Sequence, residues 1–255
     1  LMNGFIRDSR CYVFSSQGLY PLSAGPLASI YSPSSGTPTT IWIPGQRIQG
    51  VKGLFNRWAL ASNGPSVWYL AEDGIYEVGN PIPITAEDLY QLFPHDGQPG
   101  QTITLNGATV SPPDMVVGAT STLPNLRLSY YNNELFFDYV SGGDSYFTLV
   151  YNTITKTWAL DQYGRTINSH YGEYGHGVEG LYACGKGTTN AGMAYQMTGT
   201  SDDGLPISCQ IRTPSADDND PGIKKLWGDD LIDCNPNNLA VVTVIQGYDQ
   251  HGTTL

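Results

Sequence analysis

The sequence predicts an all-β chain built from repeated antiparallel hairpins, and three observations carry that prediction. Residues 11–22 (CYVFSSQGLYPL) align with residues 67–78 (VWYLAEDGIYEV) as two copies of one pattern. Each copy is an aromatic-rich strand, a short polar turn closed by Gly18 or Gly74, and a second strand opening with an aliphatic residue and Tyr. Glycine supplies the positive φ such a turn needs, and the flanking β-branched and aromatic residues suit a pleated surface. The composition agrees: 30 Gly, 17 Pro and 17 Tyr in 255 residues, with only 14% charged against the roughly 25% of an average domain. The third observation is a run of four strand patterns over residues 126–158. Hairpins recurring at this spacing are the mark of a β-propeller blade. The expected fold is therefore a β-propeller, or part of one, with a strand-rich platform element at the C-terminal end and one short inserted helix.

The elements follow in order. Residues 5–22 form the first hairpin; a Ser-, Gly- and Pro-rich loop then leads to a strand at Ile41-Trp42-Ile43. Residues 57–61 and 67–70 pair next across the turn cluster Ser62-Asn63-Gly64-Pro65, and 75–78 continues that unit. The single predicted helix begins at Thr85, where Asp88 completes a capping-box-like start. Leu89, Leu92 and Phe93 fall at helical spacing, and Pro94 ends it. Residues 95–124 read as a long excursion holding a short strand, 102–105, closed by an Asn106-Gly107 turn. Strand signals then sharpen: 126–130, the Asn132-Asn133 turn, 134–139, Gly142-Gly143, 146–151, and Trp158 on a fourth strand. A hairpin over 180–184 and 192–197 follows. Blades are placed near 1–50, 51–124, 125–175 and 176–204, so residues 1–204 are read as blades and 205–255 as the platform segment. Trp42, Trp58, Trp68 and Trp158 are read as core or blade-wedge residues.

Charge and cysteine usage narrow the function classes. A net charge of −11 repels phosphate backbones and argues against tight wrapping of nucleic acid, while suiting a conduit that should not hold it. No apolar run is long enough to cross a membrane as a helix. Cys11, Cys184, Cys209 and Cys234 have no C-x-x-C spacing and no nearby His at metal-ligand intervals. Free thiols are expected, although Cys209 and Cys234 sit on strand-like segments that could pair. Both ends of the chain read as interior sequence, so it is expected to be a piece of a longer protein.

Chemistry-bearing patterns are sparse. The histidines His95, His170, His176 and His251 are scattered, and no nucleophile elbow, zincin motif or phosphate loop is present. His170, Glu173 and His176 share one Gly-rich stretch that reads as a turn with hydrogen-bonding side chains. Asp138, Asp144, Asp161 and Glu173 lie near one blade, and glycoside hydrolysis would require two of them at a set separation. The run Asp217-Asp218-Asn219-Asp220 lacks calcium-loop spacing and reads as a solvated hairpin tip. No catalytic residue, cofactor site or metal site is assigned, and the chain is expected not to be an enzyme.

Two resemblances add to this reading. Gly142-Gly143 followed by Tyr151 and Trp158, seven residues apart around a Thr-rich turn, resembles the kelch repeat, with Asn152 and Thr153 in place of the usual Asp and Pro. In that pattern the two large rings fill the wedge between adjacent blades. Residues 206–214, the acidic turn, Lys224-Lys225-Leu226-Trp227 and Ile232-Asp233, taken with the preceding blade, look like the tail-tube and nozzle proteins of short-tailed bacteriophages. That resemblance implies a structural virion protein of the phage tail, assembled in the bacterial host cytoplasm. It further implies a homo-oligomeric ring, usually of six subunits, joined to other tail proteins around a channel through which DNA passes without specific binding. It brings no catalytic residues. The alternative is a carbohydrate-binding or glycoside-cleaving propeller, since Tyr and Trp platforms with Asn and Asp suit sugars. The uneven blades favour protein docking over a repeated sugar pocket.

Overall fold

A computed structural model describes residues 2–26, 40–115, 125–142, 145–161, 163, 166–173, 179–185, 193–197, 201–202 and 205–206. Contacts divide the chain into one unit, Leu1–Leu205, and a second, Pro206–Leu255. Beyond Pro206 the platform segment, with Cys209, Cys234, His251, the acidic run and Lys224-Lys225, lies outside the described residues.

The first unit is all-β. A four-stranded sheet runs in sequence order through β1 (Asn3–Arg7), β2 (Arg10–Ser15), β3 (Gly18–Pro26) and β4 (Thr40–Pro44). A second sheet holds β5 (Leu60–Ser62), β6 (Val67–Ala71) and β7 (Gly74–Glu77), and a small hairpin follows, β8 (Ile103–Leu105) with β9 (Ala108–Val110). The third sheet is β10 (Leu126–Tyr131), β11 (Glu134–Ser141), β12 (Ser145–Asn152) and β13 (Thr157–Asp161). A fourth holds β14 (Ile167–Glu173), β15 (Gly180–Gly185) and β16 (Ala194–Gln196), and β17 (Ser201–Asp202) pairs with β18 (Leu205–Pro206). Every sheet is an up-and-down meander whose strand order follows the sequence, and no ladder joins one sheet to the next among the described residues.

Turn chemistry explains the registers. Asp8-Ser9, Asn106-Gly107 and Asn132-Asn133 all have positive φ at both central positions, the two-residue geometry whose twist matches antiparallel strands. The internal repeat is conformational as well as textual. Ser15 pairs Gly18 and Ala71 pairs Gly74, with glycine φ values of 151° and 150°. In both copies the residue after the glycine then accepts a hydrogen bond from an isoleucine: Ile48 N–H to Leu19 O and Ile84 N–H to Ile75 O, each 2.8 Å. A Cβ on Gly74 would stand 2.5 Å from Thr85 Oγ1, so the crossing segment also requires glycine there.

Two expectations are corrected. The helix at residues 85–93 is instead a series of turns ending in one 3₁₀ turn, Tyr90–Leu92. Thr85 Oγ1 accepts from Ile75 N–H at 3.3 Å, which ties it to β7 rather than to a helix end. Leu89, Leu92 and Phe93 are fully buried all the same, so their spacing reported burial without reporting a helix. The second correction concerns residues 167–173, read as the end of the third blade. They form β14, which pairs with β15 and opens the next sheet.

The sheets pack face to face in chain order. All five residues of β6 are buried, and the strand alternation divides them. Trp68 and Leu70, with Ile75, join Leu126, Leu135, Phe137, Leu149 and Trp158 of the third sheet in one apolar cluster. Tyr69, Ala71 and Tyr76 join Phe14 and Leu19 of the first sheet in another. At about 2 kcal/mol per fully buried large side chain, these two faces hold the second sheet in place.

Candidate functional site

The wedge between the second and third sheets contains the pair singled out by spacing. Tyr151 and Trp158 are cross-strand partners on β12 and β13, with ring centroids 4.9 Å apart, and both are buried. Trp158 Nε1 donates to Ile84 O at 3.0 Å, fastening the third sheet to the segment after β7. The turn between them is held by Asn152 Oδ1, which accepts from the N–H groups of Ile154 and Thr155, while Lys156 takes a positive φ of 62°.

The other face of the third sheet carries a buried polar cluster. Asp138 stands on β11 between Phe137 and Tyr139, which point to the apolar side. Strand alternation therefore turns Asp138, with Phe136, toward β14. Asp138 is 0% exposed and His170 is 4% exposed. Asp138 Oδ1 accepts from Thr148 Oγ1 at 2.7 Å and pairs with His170 Nδ1 at 2.8 Å, and Oδ2 accepts from His170 N–H at 2.7 Å. Phe136 stacks on the imidazole at 5.0 Å and Tyr163 lies against it at 5.4 Å. Three donors on one buried carboxylate satisfy the demand that a charge taken out of water be fully hydrogen-bonded.

This arrangement resembles in outline the carboxylate-oriented imidazole of an acid–base catalyst. His170 Nε2, the atom that would exchange a proton, is buried and has no hydrogen-bond partner among the described residues. The cluster acts as a polar pin between two sheets.

The remaining expected residues separate. His170 and Glu173 sit three apart on one strand, hence on opposite faces, and His176 lies outside the described residues. His95 bonds Phe93 O through Nδ1 at 3.0 Å and packs on Tyr90, far along the chain from either. Asp161 accepts from Tyr163 Oη at 2.8 Å, and Asp144 is not among the described residues. The carboxylate the sequence reading missed is Glu134. Burial, with the charge of Asp161 added, raises its pKa above the ordinary carboxylate value. Tyr163 is pushed well above the usual phenol range, first by burial and then by Asp161. Among the described residues no group of three or more His, Cys, Asp or Glu side chains could hold a metal ion, and Cys11 and Cys184 are free thiols.

The tryptophans divide. Trp68 and Trp158 are buried as expected, while the side chain of Trp42 lies outside the description. Trp58 is a correction: it is 49% exposed. It sits before β5 in a turn where Asn56 Oδ1 accepts from Trp58 N–H at 2.9 Å and Ala59 N–H bonds Asn56 O. That turn places Ala59 in the core and leaves the indole outside. No helix among the described residues is long and apolar enough to cross a membrane. No family model, curated protein or solved structure matches the chain.

Proposed function

We propose that this chain is a structural β-propeller subunit of a phage tail nozzle or tube, working as one member of a ring around the DNA exit channel. The observation that carries the reading is the stacking of small meander sheets face to face in chain order, with aromatic rings filling the first two wedges and Phe136 and Tyr163 flanking the polar pair in the third. Propeller blades pack in this way. The first strands also lie side by side, β5 against β10 and β10 against β14. Hydrogen bonds run along that edge from Asn3 Nδ2 to Arg57 O, from Leu128 N–H to Trp58 O and from Asn125 Nδ2 to Asn168 O.

The burial of the Asp138–His170 pair supports a scaffold rather than a catalyst, because its carboxylate and imidazole serve the joint between sheets. Ile6, Ile43, Ile82 and Ile154 are exposed and offer apolar anchors to neighbouring subunits. Cryo-electron microscopy of the native particle tests the proposal. A closed ring of this chain around a central channel supports it. An isolated monomer with an open central pocket rejects it.

A further inference from the structure

Beside Trp58 the structure gathers two guanidiniums, neither within ion-pair distance of a carboxylate among the described residues, although Asp138 is the cross-strand partner of Arg127. The guanidinium carbon of Arg57 lies 4.9 Å from the Trp58 ring centroid, and that of Arg127 lies 5.7 Å from it. Two like charges are thus held on one half-exposed indole in a chain of net charge −11. The ion pairs among the described residues are Arg7–Asp8, Lys52–Asp73 and Asp138–His170, and none involves either arginine. The geometry is fixed rather than incidental. Arg127 Nε donates to Asn125 Oδ1 at 3.0 Å, and Asn125 in turn donates to Asn168 O at 3.3 Å. Asn3 Nδ2 holds the Arg57 carbonyl at 2.7 Å, and Leu128 N–H holds that of Trp58 at 3.2 Å. Residues of β1, the turn before β5, the start of β10 and β14 therefore position two guanidiniums and one indole.

We propose that Arg57, Trp58 and Arg127 form a binding site for the carboxylate of an acidic sugar. Guanidinium groups match a carboxylate through paired, charge-assisted hydrogen bonds. The exposed part of the indole supplies the apolar surface that a sugar's C–H face needs. A single carboxylate also suits the wider field: the chain's net negative charge repels a polyanion such as a DNA backbone far more than one charge. This inference does not rest on the ring reading.

Sodium glucuronate is the probe, with glucose and inorganic phosphate as comparators, followed on the full chain by calorimetry and ligand-observed saturation-transfer NMR. The expected result is saturable glucuronate binding that weakens at high salt, with no response to glucose. Arg57→Gln and Arg127→Gln should each weaken it by about tenfold or more, the loss of a hydrogen bond to a charged group. Arg57 is exposed and its side chain forms no described hydrogen bond, so Arg57→Gln keeps the test valid even if Arg127→Gln disturbs the fold. Phosphate binding with glucuronate silent would overturn the acidic-sugar assignment. Binding of neither, or glucuronate binding that survives the double variant, would overturn the site.

Discussion

The two faces of β11 solve the same problem by opposite means. Leu135, Phe137 and Tyr139 on one face join an apolar cluster with the second sheet. Phe136 and Asp138 on the other face meet β14, where a buried carboxylate receives three hydrogen bonds. The apolar face gains from area and tolerates any filling of similar volume. The polar face gains little net free energy from its charges but punishes any arrangement that leaves one unpaired. One strand thus carries a face that supplies stability and a face that supplies register.

The largest expected effect follows from breaking the pin. Asp138→Ala leaves Thr148 and both donors of His170 without their acceptor, and should cost about 4 kcal/mol in urea unfolding. Phe137→Ala, on the opposite face, should cost about 3 kcal/mol through lost burial and a residual cavity. The contrast sharpens with a double variant. Asp138→Leu with His170→Phe removes the carboxylate and the imidazole together, leaving the Thr148 hydroxyl and the residue-170 N–H as the donors without their acceptor, and should unfold later than Asp138→Ala. If the double variant is as unstable as the single one, the pin is not primarily an electrostatic device.

Smaller effects come from titration. Burial holds Tyr139 protonated, well above its ordinary value of 10.0, while its hydroxyl donates to Ser111 O at 2.8 Å. A raised pKa means that stability is fully present below the unfolded value and drains as pH rises past it. Alkaline unfolding of the wild type should therefore steepen above pH 10, and Tyr139→Phe should flatten that limb at a cost of about 1 kcal/mol at neutral pH. Glu134 gives the smallest effect. Its pKa is also raised, by burial and then Asp161, so its contribution is present at low pH and lost as pH rises through the folded value. Glu134→Gln should raise Tm slightly at pH 7, with the gain vanishing below the ordinary carboxylate value of 4.5.

Local order was legible in the sequence wherever a short-range rule governed it. The 11–22 and 67–78 repeat, the Asn-Gly and Asn-Asn turns and the Tyr151–Trp158 pair all depend on neighbours within a few residues or one hairpin. Each appears in the structure at the expected position. The helix expected at 85–93 failed because Leu89, Leu92 and Phe93 are spaced to fill a core, and a run of turns can present that spacing too. Trp58 failed for the complementary reason: a large aromatic predicts burial on average, but the Asn56 turn directs the neighbouring Ala59 inward instead.

The sequence by itself determined the all-β character, most hairpins and their turns, because backbone propensity and side-chain alternation act locally. Tertiary structure alone decided that Asp138 and His170, 32 residues apart, would share one buried site. It also placed β14 in the fourth sheet, and set Arg57 and Arg127 on one indole. Those outcomes depend on which face of one sheet meets which face of the next. A period of two places a residue on a face without naming what that face will touch.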